Sequence, residues 1–229
     1  FSRPRQTGVN AITINEGDQL LEARMTDGNS YVMLAIKSGR AVRFHEEKVR
    51  PTGRGAIGVR GIEVDSDTDE VVGMICVEMD NEIAQKTVLV VSEKGFGKRT
   101  GMHDYRITNR GGKGVKTINI TEKTGSLIAI LAVEQTDDLM IICKSGITIR
   151  MAVADVREAG RATQGVRLIR VNEEDEIAAV ARIEEDDKKD ASEDAEPVAG
   201  EPLDGAAGDV VAGGGDELTD EDEGEAEEE

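Results

Sequence analysis

Hydrophobic residues in this chain come as short aliphatic runs broken by glycine turns. "YVMLAIKSGRAVRF" (residues 31–44), "TVLVVSEKGFGKRT" (87–100) and "LMIICKSGITIRM" (139–151) share one layout. Each reads as an aliphatic strand, a tight turn ending in Gly39, Gly95 or Gly146, and a second strand. Such a pattern predicts a hairpin, because glycine supplies the positive φ that tight turns need. "SLIAILAV" (126–133) and "DEIAAVARI" (175–183) predict further strands, and no long stretch carries a helical period.

A second pattern recurs in step with the first. "RGAIGVRGIEV" (54–64), "RGGKGVKTINI" (110–120) and "RATQGVRLIRV" (161–171) each place a glycine four residues after an arginine. A valine follows that glycine, then a basic residue, then aliphatics four and six residues after the glycine. "RQTGVNAITI" (5–14) is a degenerate copy, one residue shorter before its glycine. Gly8, Gly58, Gly114 and Gly165 stand 50, 56 and 51 residues apart, and the hairpin glycines repeat the last two spacings. Repeats of about 50 residues with about four short strands each are the mark of bladed, propeller-like folds. One such sheet cannot cover both of its faces, so blades must stack. The expected organisation is all-β: a partial repeat over 1–30, repeats at about 31–86, 87–138 and 139–183, then a tail over 184–229.

Charge sharpens that division. The chain carries 28 basic and 47 acidic residues, a net of −19. Residues 184–229 hold 21 of the acids and only Lys188 and Lys189 in return, so the body before them is neutral. The tail has no aromatic residue and too little apolar surface to offset chain entropy, which predicts disorder. It would serve as a solubiliser or as an internal competitor for a basic surface. The longest apolar runs, such as Leu127 to Val133, are too short to span a membrane as a helix. Cys76 and Cys143 both sit in strand-like runs and, with His45 and His103, lack zinc-site spacing, so reduced thiols are expected.

Within the neutral body the cations fall in register. Arg43, Arg99 and Arg150 lie four residues past the hairpin glycines; Arg50, Arg106 and Arg157 lie seven further on. Four more residues lead to Arg54, Arg110 and Arg161, and two past the next glycine come Arg60, Lys116 and Arg167. Blades related by rotation would show each set at one height, as a basic track. The plainer alternative is that these are solvated turn residues with local acids, as in "HEEKVR" and "VREAGR". Arginine at nearly all matched positions favours phosphate recognition, since its donor fork fits phosphate oxygens. With Lys98 and Lys113 beside them, these fourteen residues form the candidate DNA-binding set. Aromatics are only 2% of the chain, which removes the stacking platforms of single-strand binders and points to duplex backbone.

Catalytic readings fail on the same sequence. "GRGAIG" (53–58) matches a dinucleotide glycine motif by letter, but a strand rather than a helix follows it. "GFGKRTG" (95–101) resembles a phosphate loop, yet Arg99 occupies the place of the required Ser or Thr. Tyr105 aligns with Val49 and Val156, which marks a packing position. No catalytic constellation and no cofactor site emerges.

"EKGFGKRT", "NRGGKGVKTI", "GRATQGVRLIR" and the acidic tail closely resemble the C-terminal domain of bacterial DNA gyrase A, over essentially the whole chain. The resemblance implies a β-pinwheel that wraps duplex DNA around a basic perimeter. That wrapping would support ATP-dependent negative supercoiling by the whole enzyme, a type II topoisomerase. It implies as partners duplex DNA, the rest of gyrase A, and gyrase B in a heterotetramer, in the bacterial cytoplasm and without membrane. ATP and magnesium would belong to other parts of that enzyme, as would the cleavage residues. The family's Gln-Arg-Arg-Gly-Gly-Arg/Lys-Gly box is absent, and 109–114 looks like a degenerate cousin. The copy number implies an incomplete ring whose first blades lie upstream of Phe1. The related C-terminal domain of topoisomerase IV and a protein-interaction propeller are the alternatives.

Overall fold

The computed structural model describes residues 7–64, 68–78, 86–172 and 175–184. They belong to one unit, Phe1–Asp194. The predicted disorder from residue 185 onward lies outside the described residues. Within them, regular structure consists of strands and three single turns of 3-10 helix, Glu46–Lys48, Met102–Asp104 and Val153–Asp155. No helix there is long and apolar enough to cross a membrane.

The predicted hairpins are β1 (Ser30–Ile36) with β2 (Arg40–His45), β4 (Thr87–Ser92) with β5 (Phe96–Gly101), and β8 (Asp138–Cys143) with β9 (Thr148–Ala152). Each is extended on its first strand by the strand that closes the same repeat: β3 (Val71–Glu78) on β1, β7 (Leu127–Val133) on β4, β11 (Ile177–Ile183) on β8. Two short strands cross between repeats. β6 (Val115–Lys116) pairs with β2, and β10 (Val166–Arg167) pairs with β5. Each crossing thus lends two residues to the sheet before it. The sheet orders are β3-β1-β2-β6, β10-β5-β4-β7 and β11-β8-β9.

These crossings explain the glycines. Gly95 closes its hairpin at φ 82°, and a Cβ there would meet the Ile169 carbonyl oxygen at 2.6 Å. Gly165, at φ 79°, would meet the Gly97 carbonyl oxygen at 2.5 Å. Only a residue without a side chain lets the crossing segment seat this closely.

The cores lie between sheets, so the middle hairpin is apolar on both faces of β4. Val88 and Val90 pack toward Met33, Ala35, Ile75 and Val77 of the first sheet. Leu89 and Val91 pack the other way, toward Leu139, Ile141 and Cys143 of the third. Burial on both faces is why β4 reads as an unbroken aliphatic run rather than an alternation. Cys76 and Cys143 are both free thiols, and burial raises the pKa of each.

One backbone bond recurs at every repeat boundary. Thr13 N–H donates to Ala56 O (3.1 Å), Glu63 to Gly112 O (3.0 Å) and Asn119 to Thr163 O (3.1 Å). Each donor lies five residues after a repeat glycine, and each acceptor two before the next. The degenerate first copy therefore keeps the register of the others, although its described residues, 7–14, form no strand.

Candidate nucleic-acid interface

The four tiers of matched cations divide by position. Arg43 is 6% exposed, and its Nη1 donates to the carbonyls of Met102 (2.9 Å) and Tyr105 (3.3 Å) in the following repeat. Its guanidinium lies 4.2 Å over the Tyr31 ring, and burial lowers its pKa. Arg99 repeats the arrangement, its Nε donating to Val156 O at 2.8 Å. Tyr105 and Val156 hold equivalent positions. This tier staples each blade to the 3-10 turn of the next. Arg150, on the outer edge of the third sheet, is exposed and instead pairs with Asp138 at 2.7 Å.

The third tier ties each blade to the one before. Arg110 donates to the carbonyls of Lys48 (Nε, 2.8 Å) and Arg60 (Nη1, 3.0 Å). Arg161 donates to Lys116 O at 3.1 Å, and its guanidinium sits 5.9 Å from the Tyr105 ring. Arg60 and Lys116 are themselves matched, so one contact is made twice. Both donors are half-buried, whereas Arg54, in the first complete copy, is exposed.

The second and fourth tiers face solvent. Arg50, Arg106, Arg157, Arg60, Lys116 and Arg167 are all exposed. Among the described residues none of the six is ion-paired. Lys116 Nζ reaches Asn119 Oδ1 at 3.1 Å, and the Arg167 guanidinium lies 5.3 Å over the Phe96 ring. Arg110 binds backbone at Lys48, two residues from Arg50, and at Arg60 itself, so in the first complete repeat the segments that carry Arg50 and Arg60 meet at one guanidinium.

Lys113 is exposed, but Lys98 is not. Lys98 is fully buried, and its Nζ donates to Gly160 O (2.6 Å), Arg161 O (2.6 Å), Thr163 O (3.1 Å) and Thr163 Oγ1 (3.1 Å). Burial, then the charge of Arg161, lower its pKa to about 8, with Asp104 opposing. The expected display of the twelve matched cations on a common rim is corrected at Arg43 and Arg99, which are buried, as is Lys98 from the wider candidate set. Carbonyl oxygens of the next blade accept from Arg43 Nη1, Arg99 Nε and Lys98 Nζ, while Arg43 Nε is buried without a partner among the described residues. Sequence reading also missed Thr100, whose Oγ1 donates to Ala159 O at 2.8 Å beside Lys98. The available signal was a charge at Lys98 where the matched positions hold Val42 and Ile149.

Comparison with known proteins agrees with this architecture. The family model described as the DNA gyrase C-terminal domain, β-propeller, matches residues 30–78, 86–134 and 137–184. The DNA gyrase A subunit of Staphylococcus aureus (strain NCTC 8325 / PS 47) is 42% identical over 194 residues, which is 85% of this chain and 21% of that protein. Its counterpart in strain MRSA252 is 43% identical over 186 residues, 81% of this chain and 20% of the relative. The chain thus spans about a fifth of the length of these curated relatives. A solved gyrase A C-terminal domain superposes with a TM-score of 0.69 at 27% identity, over 78% of this chain and 59% of that one. A topoisomerase IV C-terminal domain gives 0.75 at 19% identity, over 85% and 60%, a likeness of fold alone.

Proposed function

The chain belongs to the family of DNA gyrase C-terminal β-propeller domains, and from that membership we propose that it binds and bends duplex DNA along its exposed basic edge. The observation that carries this reading is the recurrence, once per repeat, of two solvent-facing cations: Arg50 and Arg60, Arg106 and Lys116, Arg157 and Arg167. A duplex laid across successive blades meets the same pair at each step, which suits a backbone reader that gains from curvature. The near absence of aromatic rings supports duplex over single-stranded nucleic acid.

In this reading the chain is the wrapping part of a gyrase A protein. It presents DNA to a cleavage core and supports negative supercoiling by an assembly with gyrase B in the bacterial cytoplasm. ATP, magnesium and the cleavage chemistry belong to those other parts. Gyrase is favoured over topoisomerase IV because the two curated relatives described above, at 42% and 43% identity, are gyrase A proteins.

Fluorescence anisotropy of a labelled duplex against salt concentration tests the proposal. Neutralising roughly six phosphates gives a log–log slope near −5. A flat salt response, or affinity that does not grow with duplex length, would leave a protein-interaction propeller as the better reading.

A further inference from the structure

Lys98 and Thr100 lie on the same side of β5 and together hold four carbonyls of the loop that follows the third repeat's 3-10 turn. Thr100 takes Ala159 O, and Lys98 takes Gly160 O, Arg161 O and Thr163 O. The first three of these belong to consecutive peptide units. A trans peptide is planar, with its C=O and N–H pointing opposite ways. Turning the carbonyls of Ala159, Gly160 and Arg161 inward therefore turns the N–H groups of Gly160, Arg161 and Ala162 outward. Among the described residues these three N–H groups find no acceptor, while the neighbouring Ala159 and Thr163 N–H groups are bonded, to Arg99 O and Gly160 O. Gly160 and Ala162 are exposed. Unpaired N–H groups in succession, on a loop whose other side is fixed to a buried cation, are donors of the kind that take anions.

We propose that the amides of Gly160, Arg161 and Ala162 form a subsite for one backbone phosphate of duplex DNA, with Lys98 as its positioning residue. The inference rests on the duplex-binding reading above. Lys98 itself touches no DNA; its ammonium holds the inward carbonyls of Gly160, Arg161 and Thr163 and so fixes the direction of the amides. The equivalent junction is built differently. There Val42 stands in place of Lys98, and the Gly111 N–H is consumed by Gly61 O at 2.6 Å. At that junction one of the three matched amides is therefore already taken, whereas the loop over 159–163 keeps all three. Arg157, exposed at the entry to the latter, supplies the formal charge beside it.

The test uses the whole 229-residue chain, labelled with nitrogen-15, and a short duplex. Binding is expected to shift the amide signals of Gly160, Arg161 and Ala162. Lys98→Met is expected to abolish those shifts and weaken binding roughly tenfold. Its salt slope should stay that of the parent, because a neutral amide releases no counterion, whereas Arg157→Gln should flatten the slope by about one. A Lys98→Met slope flattened by about one would show Lys98 itself on phosphate and overturn the proposal, as would parent-like affinity and shifts. Should Lys98→Met unfold, Ala162→Pro removes one exposed N–H and leaves Lys98 in place. A several-fold loss at unchanged slope supports the subsite, and unchanged affinity overturns it. Duplex binding with silent 160–162 amides sinks the subsite alone; no duplex binding at all sinks the functional reading with it.

Discussion

Arg43 donates to the carbonyl oxygen of Met102 at 2.9 Å across a repeat boundary, and Arg99 makes the matching bond to Val156 at the next one. These bonds assign the first cation tier to holding blades together. Arg43→Met should leave the Met102 and Tyr105 carbonyls buried without that donor, at a cost of about 1–3 kcal/mol. Chemical denaturation reads the loss. At temperatures where the variant is folded, its salt slope for duplex binding should equal that of the parent.

The second tier should behave in the opposite way. Arg106→Gln removes an exposed side chain that meets no carboxylate among the described residues, so stability should move by less than about 0.5 kcal/mol. The salt slope should flatten by about one, which titrations at several salt concentrations would resolve.

Why the two tiers were indistinguishable in the sequence follows from chemistry. A guanidinium fork suits two converging carbonyls as well as two phosphate oxygens. The carbonyls that Arg43 meets lie about 60 residues away, in a turn whose placement depends on blade stacking. The hairpins were legible because their signals are local: aliphatic runs, a glycine turn, a fixed repeat. The crossing of β6 and β10 into the preceding sheet was not, since two-residue strands carry no period of their own. Lys98 left a faint trace, a charge inside an otherwise apolar register; the oxygens that hold it were invisible until the next blade was in place.

Glycine replacement separates strain from crowding. Gly95→Ala and Gly146→Ala both force a side chain to positive φ, at 82° and 90°. Space differs: the first would press on Ile169 O, while nothing lies within 4 Å of the second. Gly146→Ala should cost about 1–2 kcal/mol. Gly95→Ala should cost clearly more and loosen the pairing of β10 with β5, visible as faster amide exchange at Val166 and Arg167.

Lys98 also sets a pH dependence. Its pKa is about 8 in the fold against an ordinary 10.5, so the unfolded chain binds more protons between those values. Stability from this group therefore rises with pH across about 8 to 10.5 and is flat below. The difference in unfolding free energy between the parent and Lys98→Met should show that slope over the same window. A difference that does not change with pH would place the Lys98 titration elsewhere.

The most direct measurement compares the parent with a variant in which Arg50, Arg60, Arg106, Lys116, Arg157 and Arg167 are all replaced by glutamine. Duplex affinity is read across a range of salt for both. Two solvent-facing cations per blade, acting on phosphate, predict a parent slope near −5 and a nearly salt-independent variant. Equal slopes for the two proteins would contradict it.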